Sequence, residues 1–556
     1  MERKTIFSKD AMKDFHSLSR EDRLQISKDI TSLPPDVLEP VFPKFPIWGW
    51  GRCEVNVLLV ADGALSFGVN SFGLSEFITA FRQLEIEANV HIKYNVTVAH
   101  RRTEAYLLGI GIPDPLAKTS TFVKNSIENC SFGPISGKND VNLNSFDQLW
   151  LFGIDSSTGA LTSGERTVIE SFMDNKGGVF STGDHGALGA ALSGQLKRIK
   201  SMRLWASTDA DVQSDEVSMT GMRRNDTNRP GAGQTVSNQF GNQSDHIPQE
   251  IAPRVFAGGL PHPLLSISTS KRASGIIDIM PDHPHEGECA QEKEFTANGT
   301  TVRSQIIATS FVLSGSTTAG GGGKTPTLPH CFPSIHVWDG RQANVGRIVV
   351  DSTWHHFVNI NLNGFNQPEF DTIQQYYMNI AKWISKPKIM LCRYKFVIID
   401  LWLKSNLIEA SLNSPDQDLK DITIKDLISI GSLAQEELET KMSPSEAREF
   451  MVDSMEMIAP EFAAELDSWK PQEIKSQFPV KWIDEMKMAR LAVGVGFIAL
   501  RDSGLKEKGL NRKNIDRIPE IFAEGLKTGL QMGMRDFEKN LKQFSALVGE
   551  RGKKRK

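Results

Sequence analysis

The 556-residue chain is 39% hydrophobic and 23% charged, the composition of an ordinary globular protein, and it is too long for one core, so two or three domains are expected. A formal net charge of −4 gives no electrostatic signal for nucleic acid, and the basic run Arg551-Gly-Lys-Lys-Arg-Lys556 reads as a solvated end. Five scattered cysteines without a CxxC pair argue for a reducing compartment and against a zinc ribbon or a disulfide framework.

The segment after Met1 carries charges where a signal peptide would be apolar, and the longest strongly apolar run, Leu491 to Leu500, is too short for a membrane span. A cytoplasmic protein without membrane contact is the expectation. Residues 1–54 read as a helical leader that ends in a connector, where Pro34, Pro35, Pro40, Pro43 and Pro46 forbid regular helix. Trp48 and Trp50 would anchor that connector onto the next domain.

Val55-Asn-Val-Leu-Leu-Val60 is a short apolar run of the kind that forms a buried parallel strand, and Asp62-Gly63 breaks it. The next helix sets Leu74, Phe77, Ile78, Phe81 and Leu84 on one face. Further strands are expected over Val90 to Val98, Asp147 to Gly153 and Val179 to Thr182. Between the last two, Thr162-Ser-Gly-Glu165 fits a capping box that opens a helix with Val168, Ile169, Phe172 and Met173 inward. Strand, helix and strand at these lengths demand a parallel sheet with right-handed crossovers. The fold class expected is α/β, a flavodoxin-like parallel sheet with helices on both faces, over residues 55–386.

Residues 205–250 form a long polar insertion, which inside a compact domain marks a functional or disordered loop. Gly323-Lys324-Thr325 resembles the end of a phosphate-binding loop, but Thr318 stands where its first glycine is required and Pro326 blocks the following helix, so no nucleotide cofactor is expected. The sheet pattern returns at Gly346 to Asp351, and a helix through Tyr376, Ile380 and Ile384 closes the domain. Residues 387–556 are helical throughout and form a separate α-helical domain. Its last helix repeats Phe522, Leu526, Leu530, Met534, Phe537, Leu541, Phe544 and Val548 at steps of three or four, a stripe that is either core or a homo-oligomer seam.

Polar chemistry collects at expected strand ends, where α/β sheets place their ligands. Gly183-Asp184-His185-Gly186 follows one strand, and small residues after it allow a sharp turn that would leave Asp184 or His185 in an exposed, strained position. Pro281 to Glu288 supplies Asp282, His283, His285, Glu286 and Glu288. Thr353-Trp-His-His356 follows another strand, and His246 lies in the polar insertion. Imidazole and carboxylate together suit a divalent metal such as zinc, iron or manganese. The metal candidates are His185, Asp282, His283, His285, Glu288, His355 and His356. Asp184, His185 and Glu286 are the catalytic candidates, and Asp62, Arg223, Arg224, His246 and Trp354 the substrate-binding ones. The plain alternative is a set of turn-forming residues that satisfy one another's hydrogen bonds.

Gly177-Gly-Val-Phe-Ser-Thr-Gly-Asp-His-Gly186, the step His262-Pro263, and the segment from Gly346-Arg347 to Trp354-His355-His356 together resemble the ThuA-like branch of the class I glutamine amidotransferase superfamily. The resemblance implies a histidine, His185, where amidotransferases carry a nucleophilic cysteine, and a late histidine at His355 or His356. It implies a carbohydrate-like substrate and excludes glutamine amidotransfer. The Pro281–Glu288 cluster and the C-terminal helices depart from that pattern. Two functions are compatible with these features. One is a metal-assisted hydrolase or isomerase acting on a small polar molecule. The other is a non-catalytic ligand sensor or assembly protein whose helices oligomerise.

Overall fold

The computed structural model describes residues 53–87, 92–184, 186–205, 248–256, 259–281, 287–312, 330–362, 365–404, 422–458, 485–505 and 512–553. The leader, most of the polar insertion and the glycine-rich stretch therefore lie outside the described residues.

Among the described residues nine strands form one sheet: β1 (Cys53–Ala61), β2 (Ile92–His100), β3 (Val123–Ile127), β4 (Gln148–Phe152), β5 (Gly178–Thr182), β6 (Ala252–Pro253), β7 (Gln305–Val312), β8 (His330–Trp338) and β9 (Ile348–Asp351). Their order is β6-β7-β8-β9-β5-β4-β1-β2-β3. The pairs from β3 across to β9 are parallel, whereas β8, β7 and β6 extend the sheet antiparallel. Apart from the edge strand β3, the parallel strands β2-β1-β4-β5-β9 follow the flavodoxin order, with the switch point between β1 and β4.

Alternation along each strand divides the core between two faces. On β1, Val55, Val57, Leu59 and Ala61 enter one cluster, and Leu58 and Val60 enter the other. The first face is covered by α1 (Ser75–Glu87) and α3 (Gln367–Trp383), and the second by α2 (Ser163–Asp174). The ring of Phe77 on α1 lies 5.4 Å from Trp150, 5.3 Å from Phe152 and 5.2 Å from Tyr377, between centroids. Such edge-and-tilt packing adds to the burial of the rings themselves. The Thr162–Glu165 capping box is formed as the sequence expects.

After Ile384 the described chain is helical: α4 (Pro387–Lys404), α5 (Ile424–Glu439), α6 (Pro444–Ile458), α7 (Glu485–Asp502), a short turn of helix at Arg512–Asp516, and α8 (Ile518–Lys553). These helices share their own core, with α7 at its centre. A Cβ on Gly494 of α7 would fall 1.9 Å from the Leu427 carbonyl oxygen of α5, so glycine there sets the close approach of the two backbones. Phe522, Leu526, Leu530 and Met534 of α8 are core residues, and the side chains of Leu541, Phe544 and Val548 lie outside the described residues. Among the described residues no helix is long and apolar enough to cross a membrane.

The helices meet the sheet unit through buried charge. Arg347, at the start of β9, pairs with Asp339 at 2.7 Å, Glu449 at 2.9 Å and Asp453 at 3.5 Å, and its guanidinium lies 4.4 Å from the ring centroid of Trp383. Glu446 of α6 receives Lys382 at 3.2 Å and Arg393 at 2.8 Å. One expectation is corrected here: Cys53 at the start of β1 is disulfide-bonded to Cys392 of α4, their Cα atoms 5.9 Å apart. Spacing along the chain could not reveal this pair, because 339 residues separate its members and only the docking of α4 brings them together.

Candidate functional site

β5 and β9 are parallel neighbours with Thr182 opposite Asp351, so the turns after them emerge side by side at the carboxyl edge. After β5 the chain folds back sharply: a Cβ on Gly183 would lie 2.4 Å from the Leu188 carbonyl oxygen, and the Asp184 amide donates to that oxygen at 3.1 Å. After β9, Thr353 caps a 3-10 turn over Trp354–His356, its hydroxyl accepting from the His355 amide at 3.0 Å. The Trp354 amide donates to the Gly183 carbonyl at 2.8 Å, which ties the two turns together.

Four side chains meet at this junction. The Thr353 hydroxyl donates to Asp184 Oδ1 at 3.1 Å, and Asp184 Oδ2 lies 3.6 Å from His355 Nε2. The Asn361 amide oxygen is 2.8 Å from His355 Nδ1, so that nitrogen carries the proton and Nε2 faces the carboxylate. The His355 ring packs on Trp354 with centroids 4.0 Å apart, and Phe72 from the β1–α1 loop meets Trp354 edge-on at 5.4 Å. Asn359 fixes that loop by donating to the carbonyls of Gly68 and Asn70, each at 3.0 Å. Asp184 and His355 are both wholly buried. The expectation of an exposed position at the turn is therefore corrected for Asp184: its carboxylate is turned inward beneath the β9 turn.

A second pair lies beside the first. Asp351 Oδ1 accepts from His356 Nδ1 at 2.8 Å and from the Thr353 amide at 3.2 Å, while Asp351 Oδ2 accepts from the Tyr376 hydroxyl at 2.8 Å. Arg203, also buried, donates to the Ser352 carbonyl at 2.9 Å and to the Asp184 carbonyl, and lies 4.7 Å from the Trp205 ring centroid. Its charge is thus directed at the backbone of both turns.

The other candidates are dispersed over the sheet edge. Asp62 comes after β1 at the switch point, where its Oδ1 accepts from the amides of Ile154 at 2.6 Å and Asp155 at 3.1 Å. Burial pushes its carboxyl up to about 7 despite those two amides. Glu288 is buried in a two-residue strand opposite Leu204, and its neighbour Gly287 sits so close to Arg203 and Ser352 that a Cβ there would meet both. Trp354 lines the junction. His185, Arg223, Arg224, His246, Asp282, His283, His285 and Glu286 lie outside the described residues. Among the described residues no three His, Cys, Asp or Glu side chains are grouped to hold a metal ion.

Sequence reasoning missed Arg203, Asp351, Thr353, Asn361 and Tyr376. Asp351 and Thr353 had a visible signal, polar residues closing an apolar strand. Arg203, Asn361 and Tyr376 had none, because their roles depend on contacts made across the fold.

The chain is similar to the crystal structure of a protein described as ThuA-like, from Parabacteroides merdae ATCC 43184, over 60% of this chain and 90% of that one, at 9% identity and a TM-score of 0.21. The likeness is to a ThuA-like protein. No family model matches the chain, and no curated protein matches it significantly.

Proposed function

We propose that the junction of the β5 and β9 turns is the active site of a metal-assisted hydrolase or isomerase that takes a small polar, carbohydrate-like substrate. One observation carries the reading: Asp184 Oδ2 and His355 Nε2 face each other at 3.6 Å. A carboxylate oxygen and an imidazole nitrogen are both metal donors, and two donors on one small cation at roughly 2.1 Å each would stand about that far apart. A divalent ion bound there would polarise a substrate oxygen or lower the pKa of a bound water. Thr353 holds the carboxylate and Asn361 holds the imidazole, so the donor pair is set before anything binds. A complete site needs further donors, and His185, Asp282, His283 and His285 are the residues to test. Asp184 would act as the base where no metal takes its oxygen.

Elemental mass spectrometry on tag-free protein prepared without chelator tests this. The expected result is about one equivalent of zinc, iron or manganese per chain, falling at least tenfold in Asp184→Asn and His355→Ala variants that keep the wild-type circular dichroism. Protein that stays metal-free after reconstitution, or that keeps full metal in both folded variants, would favour the ligand sensor or assembly protein instead.

A further inference from the structure

We propose that Asp62 belongs to a second binding site, in the crevice between the β1–α1 and β4–α2 connections, that takes a neutral, hydroxyl-bearing ligand such as a sugar or a polyol. The inference goes beyond the junction of the β5 and β9 turns and does not depend on that junction being catalytic.

Strand order places the crevice. β1 pairs with β2 on one side and with β4 on the other. The connections that follow β1 and β4 leave towards opposite faces, because α1 lies on one face of the sheet and α2 on the other. Sheets of this kind open between two such connections at their carboxyl edge. Asp62 follows β1 directly, and Ile154 and Asp155 lie at the start of the β4–α2 connection. Gly63 turns the chain at φ +58, and a Cβ there would fall 2.3 Å from Ile154 Cγ2 and 2.9 Å from Asp155 Oδ1. Glycine at this position therefore lets the two connections approach each other beside Asp62.

The Asp62 carboxyl is only half used by the protein. The residue is 3% exposed, and both hydrogen bonds it accepts, from the Ile154 and Asp155 amides, fall on Oδ1. Among the described residues Oδ2 accepts none. A buried polar atom seldom goes without a partner. The nearby cations are already engaged, Arg101 by Glu165 and Arg102 by Asp155 at 2.9 Å. His100, at the end of β2, is engaged as well: its Nδ1 accepts from the Arg102 amide at 2.9 Å, and its Nε2 donates to the Leu65 carbonyl at 2.8 Å.

These neighbours select the ligand. Burial, with the Asp155 charge adding to it, pushes the Asp62 carboxyl up to about 7, and the same two carboxyls oppose an anion. Arg101 and Arg102 oppose a free cation. A hydroxyl suits either form of the acid, since it donates to a carboxylate and accepts from a protonated carboxyl. Two strand spacings, roughly 10 Å, separate β1 from β5, so a ligand at Asp62 meets the sheet edge apart from the junction.

Carboxyl labelling of the full chain with a water-soluble carbodiimide and methylamine, read by peptide mass spectrometry, tests the site without turnover, metal or variants. Asp174, an exposed carboxylate, serves as the internal reference. We expect Asp62 to be labelled, and D-glucose or myo-inositol to cut that labelling at least threefold relative to Asp174. Sodium sulfate and ethylammonium chloride should leave the ratio unchanged. An unlabelled Asp62 would show that Oδ2 is closed to ligands and would overturn the inference. So would labelling that neither polyol reduces, or that sulfate or ethylammonium reduces as strongly. None of these outcomes bears on metal content, so failure here is separate from failure of the enzymatic reading.

Discussion

Arg347, the residue before β9, and Glu449 on α6 form an ion pair of 2.9 Å across the junction between the sheet and the C-terminal helices. The guanidinium is buried, and Glu449 also accepts from the Trp383 indole at 2.8 Å. This contact makes the helical unit part of the folded state of the sheet unit, since Arg347 needs carboxylates from both sides.

Truncating such a pair leaves a buried charge without its partners, which typically costs about 3–5 kcal/mol. Arg347→Ala leaves Glu449 and Asp453 with less compensation and should lose stability of that order in urea unfolding. Arg347→Met with Glu449→Leu should lose much less, since apolar packing replaces both charges. A loss under ~1 kcal/mol for Arg347→Ala would show that the network contributes little. By the same reasoning, deleting residues 388–556 should destabilise the α/β unit, since it removes the Glu446, Glu449 and Asp453 partners of Lys382 and Arg347.

Three of the buried histidines set an acid limit. Burial holds His100 down to about 4, His262 to about 3 and His336 to about 4, below an unfolded value of about 6.5. The unfolded chain therefore binds more protons in this window, and the stability present above pH ~6.5 is lost as pH falls towards 4 and 3. Burial alone would raise the Glu446 carboxyl, but Lys382 and Arg393 hold it at about 2, so its contribution is lost only at lower pH. His262 caps a short turn by accepting from the Leu264 amide at 3.2 Å, a role asparagine can also fill. His262→Asn should flatten the loss between pH 6 and 4, by up to ~1.4 kcal/mol per pH unit. Equal slopes for variant and wild type in chemical unfolding would rule out His262 as a source.

The Cys53–Cys392 bond predicts a thiol count. Protein prepared under oxidising conditions and denatured without reductant should titrate three thiols, those of Cys130, Cys289 and Cys331, rather than five. Reduction should lower the unfolding temperature, in keeping with the ~2–4 kcal/mol usual for a cross-link between distant residues. Five thiols in the untreated protein would mean that the two cysteines stay reduced.

Much of this fold was legible locally. Val55 to Val60, Asp147 to Gly153 and Val179 to Thr182 are apolar runs with turn formers around them, and that pattern fixes a strand whatever lies elsewhere in the chain. The Thr162–Glu165 box closes within one helical turn, so its two partners can be read from spacing alone. β7 and β8 escaped because they flank the glycine-rich stretch and pair antiparallel, without the helical crossover that marks the parallel strands.

The site divides along the same line. That Asp184 and His355 lie at strand ends is evident from sequence, because each comes soon after an apolar run. That they meet depends on β5 and β9 being neighbours in the sheet, and strand order is settled by the packing of helices on both faces. Asn361, Tyr376 and Arg203 became part of the site only through that packing, and the Cys53–Cys392 and Arg347–Glu449 links through the docking of the C-terminal helices. Sequence by itself determined which segments are strands and helices and which polar residues stand at their ends. Tertiary structure decided which of those residues touch, because a hydrogen bond or an ion pair acts over a few ångströms and the chain brings its partners from hundreds of residues away.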